Sequence, residues 1–220
     1  MSEAADGRGP LVAVVDYGIG NLHSAHKALE RMGADARLTA DPGLIADAAA
    51  VVLPGVGAFA ACMTALRSSG VEGSVLDAAG SGRPFLGICV GMQMLFTLSE
   101  EADPAGRSVE GLGIIPGRVE WLPDTVKRPQ MQWNRLLVDD PGDPMLDGLT
   151  DEAWMYFVHS LHGVPDDPAV VVATCEYGGR VNAAFRSGPV FATQFHPEKS
   201  GATGLRLLGN FVRVAAGEEA

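Results

Sequence analysis

Residues 84–99, Pro84-Phe-Leu-Gly-Ile-Cys-Val-Gly-Met-Gln-Met-Leu-Phe-Thr-Leu-Ser99, constrain the fold more than any other stretch of the chain. Phe85 to Ile88 are apolar or small and predict a buried strand ending at Ile88. From Val90 the apolar residues Met92, Leu95, Phe96 and Leu98 recur at helical spacing. Cys89 therefore falls on a sharp strand-to-helix turn, with Gly87 and Gly91 on either side of it. Only small flanking residues let strand and helix approach so closely. The turn lifts a sulfur out of the sheet and sets it at a helix N-terminus, where unpaired N–H groups favour thiolate over thiol. It also aims the Val90 N–H at an oxyanion forming beside the sulfur. A cysteine after an apolar run is ordinarily core packing, so a catalytic reading needs a partner for the thiol.

Phe195-His196-Pro197-Glu198 supplies one. In extended backbone, residues two apart point to one side, and Pro197 is expected to hold His196 and Glu198 extended. A carboxylate beside an imidazole fixes its tautomer and stabilises the imidazolium. Such an imidazole can take a proton from a thiol and deliver one to a leaving amine. A cysteine elbow and an ordered His-x-Glu in one chain point to nucleophilic acyl transfer.

The rest of the chain sets the frame. Leu11–Val15 and Ala50–Leu53 are continuous apolar runs, the mark of strands buried on both faces. Between and after them the pattern predicts helices over 22–32, 42–48 and about 71–79, one carrying Cys62, Met63 and Leu66, with Asn21 as an N-cap, and a short strand at 36–39. Alternating strands and helices predict an α/β fold, a parallel central sheet with helices on both faces. Its site is expected beyond the C-terminal strand ends, where the loops 16–21, 54–59 and 87–91 fall. The second half carries short alternating runs at 118–122, 154–159, 170–175 and 180–185, with Gly178-Gly179 as a hairpin signal. It is expected to be mostly antiparallel and laid against the parallel half. A strand over 190–195 and a helix over about 202–214 close the chain. Residues 1–10 read as a flexible tail and 11–220 as a single domain.

Several functions are disfavoured. A net charge of −11 argues against a nucleic-acid partner. Three cysteines, at 62, 89 and 175, suit a reducing compartment, with Cys62 and Cys175 as core residues. With no apolar signal region and no membrane-length apolar run, the expected location is the cytoplasm. Gly18 and Gly20 resemble a dinucleotide-binding turn, but His23 stands where the third glycine would fall. His23 and His26 share a helix face without a nearby cysteine or carboxylate, so they read as solvated and no metal site is assigned.

Gly87-Ile-Cys-Val-Gly-Met-Gln93 together with Gln194-Phe-His-Pro-Glu-Lys-Ser200 resembles the class I glutamine amidotransferases, which have a Cys-His-Glu triad on a flavodoxin-like fold. Asp16-Tyr-Gly-Ile-Gly-Asn-Leu22, Leu53-Pro-Gly-Val-Gly-Ala-Phe59 and Tyr156-Phe-Val-His-Ser160 resemble the branch whose ammonia passes to a separate (βα)₈ cyclase subunit in histidine biosynthesis. The resemblance implies that Cys89 forms a thioester with glutamine, His196 moves protons and Glu198 orients it. It implies oxyanion donors at Val90 and in Gly55, Val56 and Gly57. It also implies glutamine-holding positions at Gln93, Ser160 and Leu161, a heterodimer, and no cofactor. Other synthases fed by the same chemistry, such as anthranilate synthase or a sugar-modifying system, share the triad; a cysteine peptidase on a related fold is a third possibility. The chain departs from the family pattern at Gln130 and Gln132, where histidine and glycine are usual, and at Leu161, often tyrosine. These positions are expected to lie away from the triad and to bear on the choice of partner.

Overall fold

The computed structural model describes residues 9–150 and 152–218. Four apolar segments form β1 (Leu11–Val15), β2 (Asp35–Thr39), β3 (Ala50–Gly55) and β4 (Phe85–Cys89). They stand in the order β2-β1-β3-β4, all parallel. Val190–Thr193 adds to β4 in parallel, and Arg180–Ser187, Val171–Glu176 and Leu137–Val138 follow antiparallel, completing eight strands. The helices are α1 (Leu22–Arg31), α2 (Pro42–Asp47), α3 (Phe59–Ser69), α4 (Glu72–Gly80), α5 (Val90–Gln93) and α6 (Gly201–Ala215). Every residue of β3 and β4 is buried, as runs without alternation require. The α/β class and parallel sheet are as expected. No helix among the described residues is long and apolar enough to cross a membrane. Of the expected tail, residues 1–8 lie outside the described residues, while Pro10 accepts a hydrogen bond from Asp35 N–H at 3.0 Å.

Three expectations are corrected. The antiparallel strands 171–176 and 180–187 continue the main sheet instead of lying against it. Val190–Thr193 pairs with β4 on one edge and with 180–187 on the other, so it joins the two halves edge to edge. Separate small sheets do exist: Leu161–Pro165, Ile115–Trp121, Phe96–Ser99 and Val109–Glu110 form one, and Gln130–Arg135 with Trp154–His159 form another.

The predicted helix after Cys89 is a single turn. The carbonyls of Met94, Leu95 and Phe96 accept from Leu112, Ile115 and Gly113, so they are lost to any helical ladder, and the chain becomes a strand at Phe96. Phe96 is buried edge-on against Phe185, with ring centroids 5.3 Å apart. This tertiary pairing overrides the helical apolar spacing.

Nor is the His196–Glu198 segment extended. Pro197–Lys199 is a 3₁₀ turn, closed by Lys199 N–H on His196 O and Ser200 N–H on Pro197 O, both at 3.0 Å. Of the paired histidines on α1, His23 is exposed, whereas His26 is partly buried with Nε2 at 3.0 Å from Ala36 O.

Candidate active site

Cys89 has φ +55° and ψ −114°, and among the described residues it is the one non-glycine residue with positive φ. Such a conformation costs about 1–3 kcal/mol and persists only where its surroundings over-determine it. Here β4 is paired on both edges, with Gly55 opposite Cys89 in β3 and Thr193 opposite Ile88. The glycines answer to space. A Cβ on Gly91 would stand 2.0 Å from Leu53 O, and one on Gly87 would stand 3.0 Å from Met92 Cα. A Cβ on Gly55 would meet Gly91 N at 2.5 Å, so β3 also closes directly under the elbow. Because α5 is one turn long, the expected helix dipole at the sulfur is slight. The nearby cation is His196.

His196 follows a strand end tied down on every side. Gln194 N–H still bonds Ala183 O, at 2.9 Å, and the Phe195 ring packs against Phe157 with centroids 5.6 Å apart. His196 N–H donates to Tyr156 O, and Ser200 Oγ–H donates to His196 O at 2.6 Å. Nδ1 of the ring meets Glu198 Oε1 at 2.8 Å, and the Cys89 sulfur is the other side-chain group that favours a charged ring. Burial opposes charging the imidazole, but the hydrogen bonds to Cys89 and Glu198 outweigh it and raise His196 to about 10. Burial likewise pushes Glu198 upward, and the His196 and Asn21 hydrogen bonds reverse this, leaving it below the usual carboxylate range. The buried pair is thus poised as imidazolium and carboxylate beside a sulfur.

These groups open on a cavity of about 390 Å³ lined by Val56, Gly57, Cys89, Val90, Gln93, Ser160, Leu161 and His196, among others. Two predicted oxyanion positions in the loop, Val56 and Gly57, face it together with Val90; Gly55 packs beneath the elbow. The Gln93 amide donates to Leu161 O at 3.2 Å and to Gln194 Oε1 at 3.0 Å, and Gln194 Nε2 lies 3.9 Å from Cys89 Sγ. Leu161 is therefore a wall of this cavity, linked to Cys89 through two amides, and not remote from the triad as expected. Gln130 is also buried nearby, on His159, while Gln132 is exposed.

A family model for glutamine amidotransferase class-I matches residues 13–215. The chain belongs to this family. Imidazole glycerol phosphate synthase subunit HisH of Halobacterium salinarum is 51% identical to this amidotransferase over 212 residues, covering 95% of each chain. HisH of Syntrophotalea carbinolica is 47% identical over 208 residues, covering 91% of this chain and 98% of its own. Among solved structures, PurLQS from Thermotoga maritima superposes with TM-score 0.72 at 21% identity, covering 94% of this amidotransferase and 99% of that chain, a likeness of fold.

Four residues of the amidotransferase site escape sequence reasoning. Asn21, expected as a helix cap, makes no capping bond and instead donates from Nδ2 to Glu198 Oε1 at 2.9 Å. Glu101 lines the cavity and takes the Phe59 N–H on Oε2 at 2.6 Å. His159 and Gln194 are buried polar side chains inside apolar strand runs. Polar residues in such runs were the available signal, because buried polar groups need partners. Cys62 and Cys175 are buried as expected, and the Cys62 thiol also donates to Val56 O at 3.3 Å, tethering the glycine-rich loop.

Proposed function

We propose that this chain is the glutaminase subunit of an imidazole glycerol phosphate synthase, a cytoplasmic heterodimer in which it hydrolyses L-glutamine and passes ammonia to a (βα)₈ cyclase. The observation that carries the reading is Cys89 and His196 opening on one cavity, with Glu198 behind the imidazole on Nδ1, in an amidotransferase-family chain. Cys89 Sγ attacks the side-chain amide carbon of glutamine. The carbonyl oxygen becomes an oxyanion facing the Val90 N–H and the Val56–Gly57 loop, where one donor is worth about 3–4 kcal/mol. His196 holds the thiol's proton and gives it to the departing nitrogen as the C–N bond breaks, leaving a γ-glutamyl thioester and ammonia. A water then loses its proton to His196 and attacks the thioester, releasing glutamate and restoring the thiol. Glu198 keeps Nδ1 protonated throughout, so the other ring nitrogen does the transfer.

Glu101, the acidic side chain on the cavity wall, suits the substrate's α-ammonium, and Gln93 with the Ser160–Leu161 backbone suits its polar groups. For the partner, the outer face of the small two-stranded sheet is suited to docking: Met131, Trp133 and Trp154 are exposed there, and Val158 of the same strand lines the cavity. The test is glutamine hydrolysis by the pure protein, with and without the candidate cyclase and its nucleotide ligand. Stimulation by the liganded cyclase is expected, and Cys89→Ala should abolish glutamine-driven synthesis while ammonia-driven synthesis by the pair persists. Glutamine-driven turnover in Cys89→Ala near that of the parent would end this reading.

A further inference from the structure

At the cavity wall stands a polar pair that the chemistry above leaves unused. Gln130 and His159 are partners across the two-stranded sheet, 0% and 5% exposed. His159 Nδ1 lies 2.7 Å from Leu161 O, and Nε2 lies 2.9 Å from the amide of Gln130. The far side of that amide faces Cys175 Sγ at 3.9 Å.

With the Gln130 oxygen toward the ring, both imidazole nitrogens face oxygen acceptors. A neutral imidazole has one donor and one acceptor nitrogen, so it can satisfy only one of them. An imidazolium could satisfy both, but burial holds His159 down at about 4, and the ring is neutral at physiological pH. In either neutral tautomer a ring lone pair would then face an oxygen lone pair at hydrogen-bond distance. Turning the Gln130 amide over removes the conflict. Cys175 S–H then donates to the amide oxygen, the amide N–H donates to His159 Nε2, and Nδ1–H donates to Leu161 O. Every group is satisfied and all donors point toward the site. Leu161 O is also the acceptor for Gln93, whose amide continues through Gln194 to Cys89.

We propose that Gln130 and His159 are positioning residues for the substrate: Gln130 fixes His159 as the Nδ1–H tautomer, and that N–H fixes the Leu161 carbonyl, and with it Leu161, on the cavity wall. The proposal rests on the glutaminase reading above for what the wall holds. Without the Nδ1–H donor, Leu161 O keeps only the Gln93 amide, and Leu161, the first residue of its strand, is held less firmly on the wall. Glutamine would then bind less well, while Cys89 and His196 keep their places, so the loss falls on KM and not on kcat.

The experiment combines nitrogen-15 NMR of the histidine rings in the full-length protein near neutral pH with glutamine kinetics of variants. His159, identified by its absence in His159→Asn, is expected as Nδ1–H with a bare Nε2; an Nε2–H ring or an imidazolium overturns the proposal. Gln130→Met is expected to mix the tautomers and to raise KM for glutamine about tenfold, the cost of one weakened buried hydrogen bond, with kcat within about threefold. His159→Phe should raise KM at least as much. His159→Asn, whose amide can donate where Nδ1–H stood, should restore it to within about threefold of the parent. Should His159→Phe fail to fold, Gln130→Met decides: an unchanged KM or an unchanged tautomer overturns the proposal. The tautomer needs no turnover to be seen, so an inactive parent protein would strike the glutaminase reading alone.

Discussion

Asn21 Nδ2 donates to Glu198 Oε1 at 2.9 Å, the same oxygen that meets His196 Nδ1 at 2.8 Å. The loop after β1 therefore helps hold the carboxylate that orients the imidazole. Asn21→Ala is expected to lower glutaminase kcat about ten- to hundredfold, since a hydrogen bond to an ionised acceptor contributes about 1.5–3 kcal/mol. Asn21 makes no side-chain capping bond to α1, so the thermal midpoint should move little. Steady-state kinetics beside a melting curve checks both; a large fall in melting temperature with kcat intact would reassign Asn21 to the helix.

The three cysteines should react in a set order. Cys89 opens on the cavity beside His196, whereas Cys62 and Cys175 are fully buried. Burial pushes Cys62 up and Cys175 up to about 12. Limited iodoacetamide treatment followed by peptide mass spectrometry is expected to find carbamidomethyl on Cys89, with the other two labelled only after unfolding. Early labelling of Cys62 would mean that the loop it tethers opens in the native protein.

Two glycines near the sulfur should behave differently. Gly57 has φ +89° with nothing within 4 Å of where a Cβ would stand, so Gly57→Ala strains the loop backbone without a clash. It is expected to keep the fold and the alkylation of Cys89 but to lower the stimulation of glutamine hydrolysis by a liganded cyclase about tenfold or more, if an N–H of this loop serves the oxyanion. Gly91→Ala would press a methyl onto Leu53 O and should cost about 1–3 kcal/mol of stability or more by urea unfolding. Full stimulation in Gly57→Ala would remove the loop from oxyanion binding.

Acid should weaken the fold through His159. In the unfolded chain this ring takes up a proton as pH falls through its ordinary 6.5, but in the folded chain only near about 4. Between those values the unfolded state binds more protons, so stability falls as pH falls, by roughly 2 kcal/mol between about pH 8 and about pH 5. His196 acts in the opposite sense: raised to about 10, it stabilises fully below about 6.5 and loses this as pH rises through about 10. Urea unfolding of the parent and of His159→Asn across this range should show the acid-side slope reduced in the variant. Equal slopes would mean that His159 is not the group buried in its neutral form.

The sequence by itself determined the frame and singled out the candidate site residues. Short apolar runs at Leu11–Val15, Ala50–Leu53 and Phe85–Ile88, bounded by glycine- and proline-bearing turns, mark strands buried on both faces, and Gly87 and Gly91 around Cys89 mark an elbow, because these patterns are local in the chain. Cys89 and His196 stood out as candidates because each directly follows such a strand-like run, and Glu198 because it stands two residues beyond His196. What only the tertiary structure decided depends on partners distant in sequence. The apolar spacing of Leu95, Phe96 and Leu98 fits a helix, yet residues 112–115 take the carbonyls a helix would need. Asn21 fits a cap, yet Glu198, 177 residues away, is where its amide goes. Gln130 and His159 are merely polar residues in strand-like runs until cross-strand register sets one against the other. A hydrogen-bonding side chain takes whichever partner the fold brings within reach, and the chain carries that identity only through its long-range pairing.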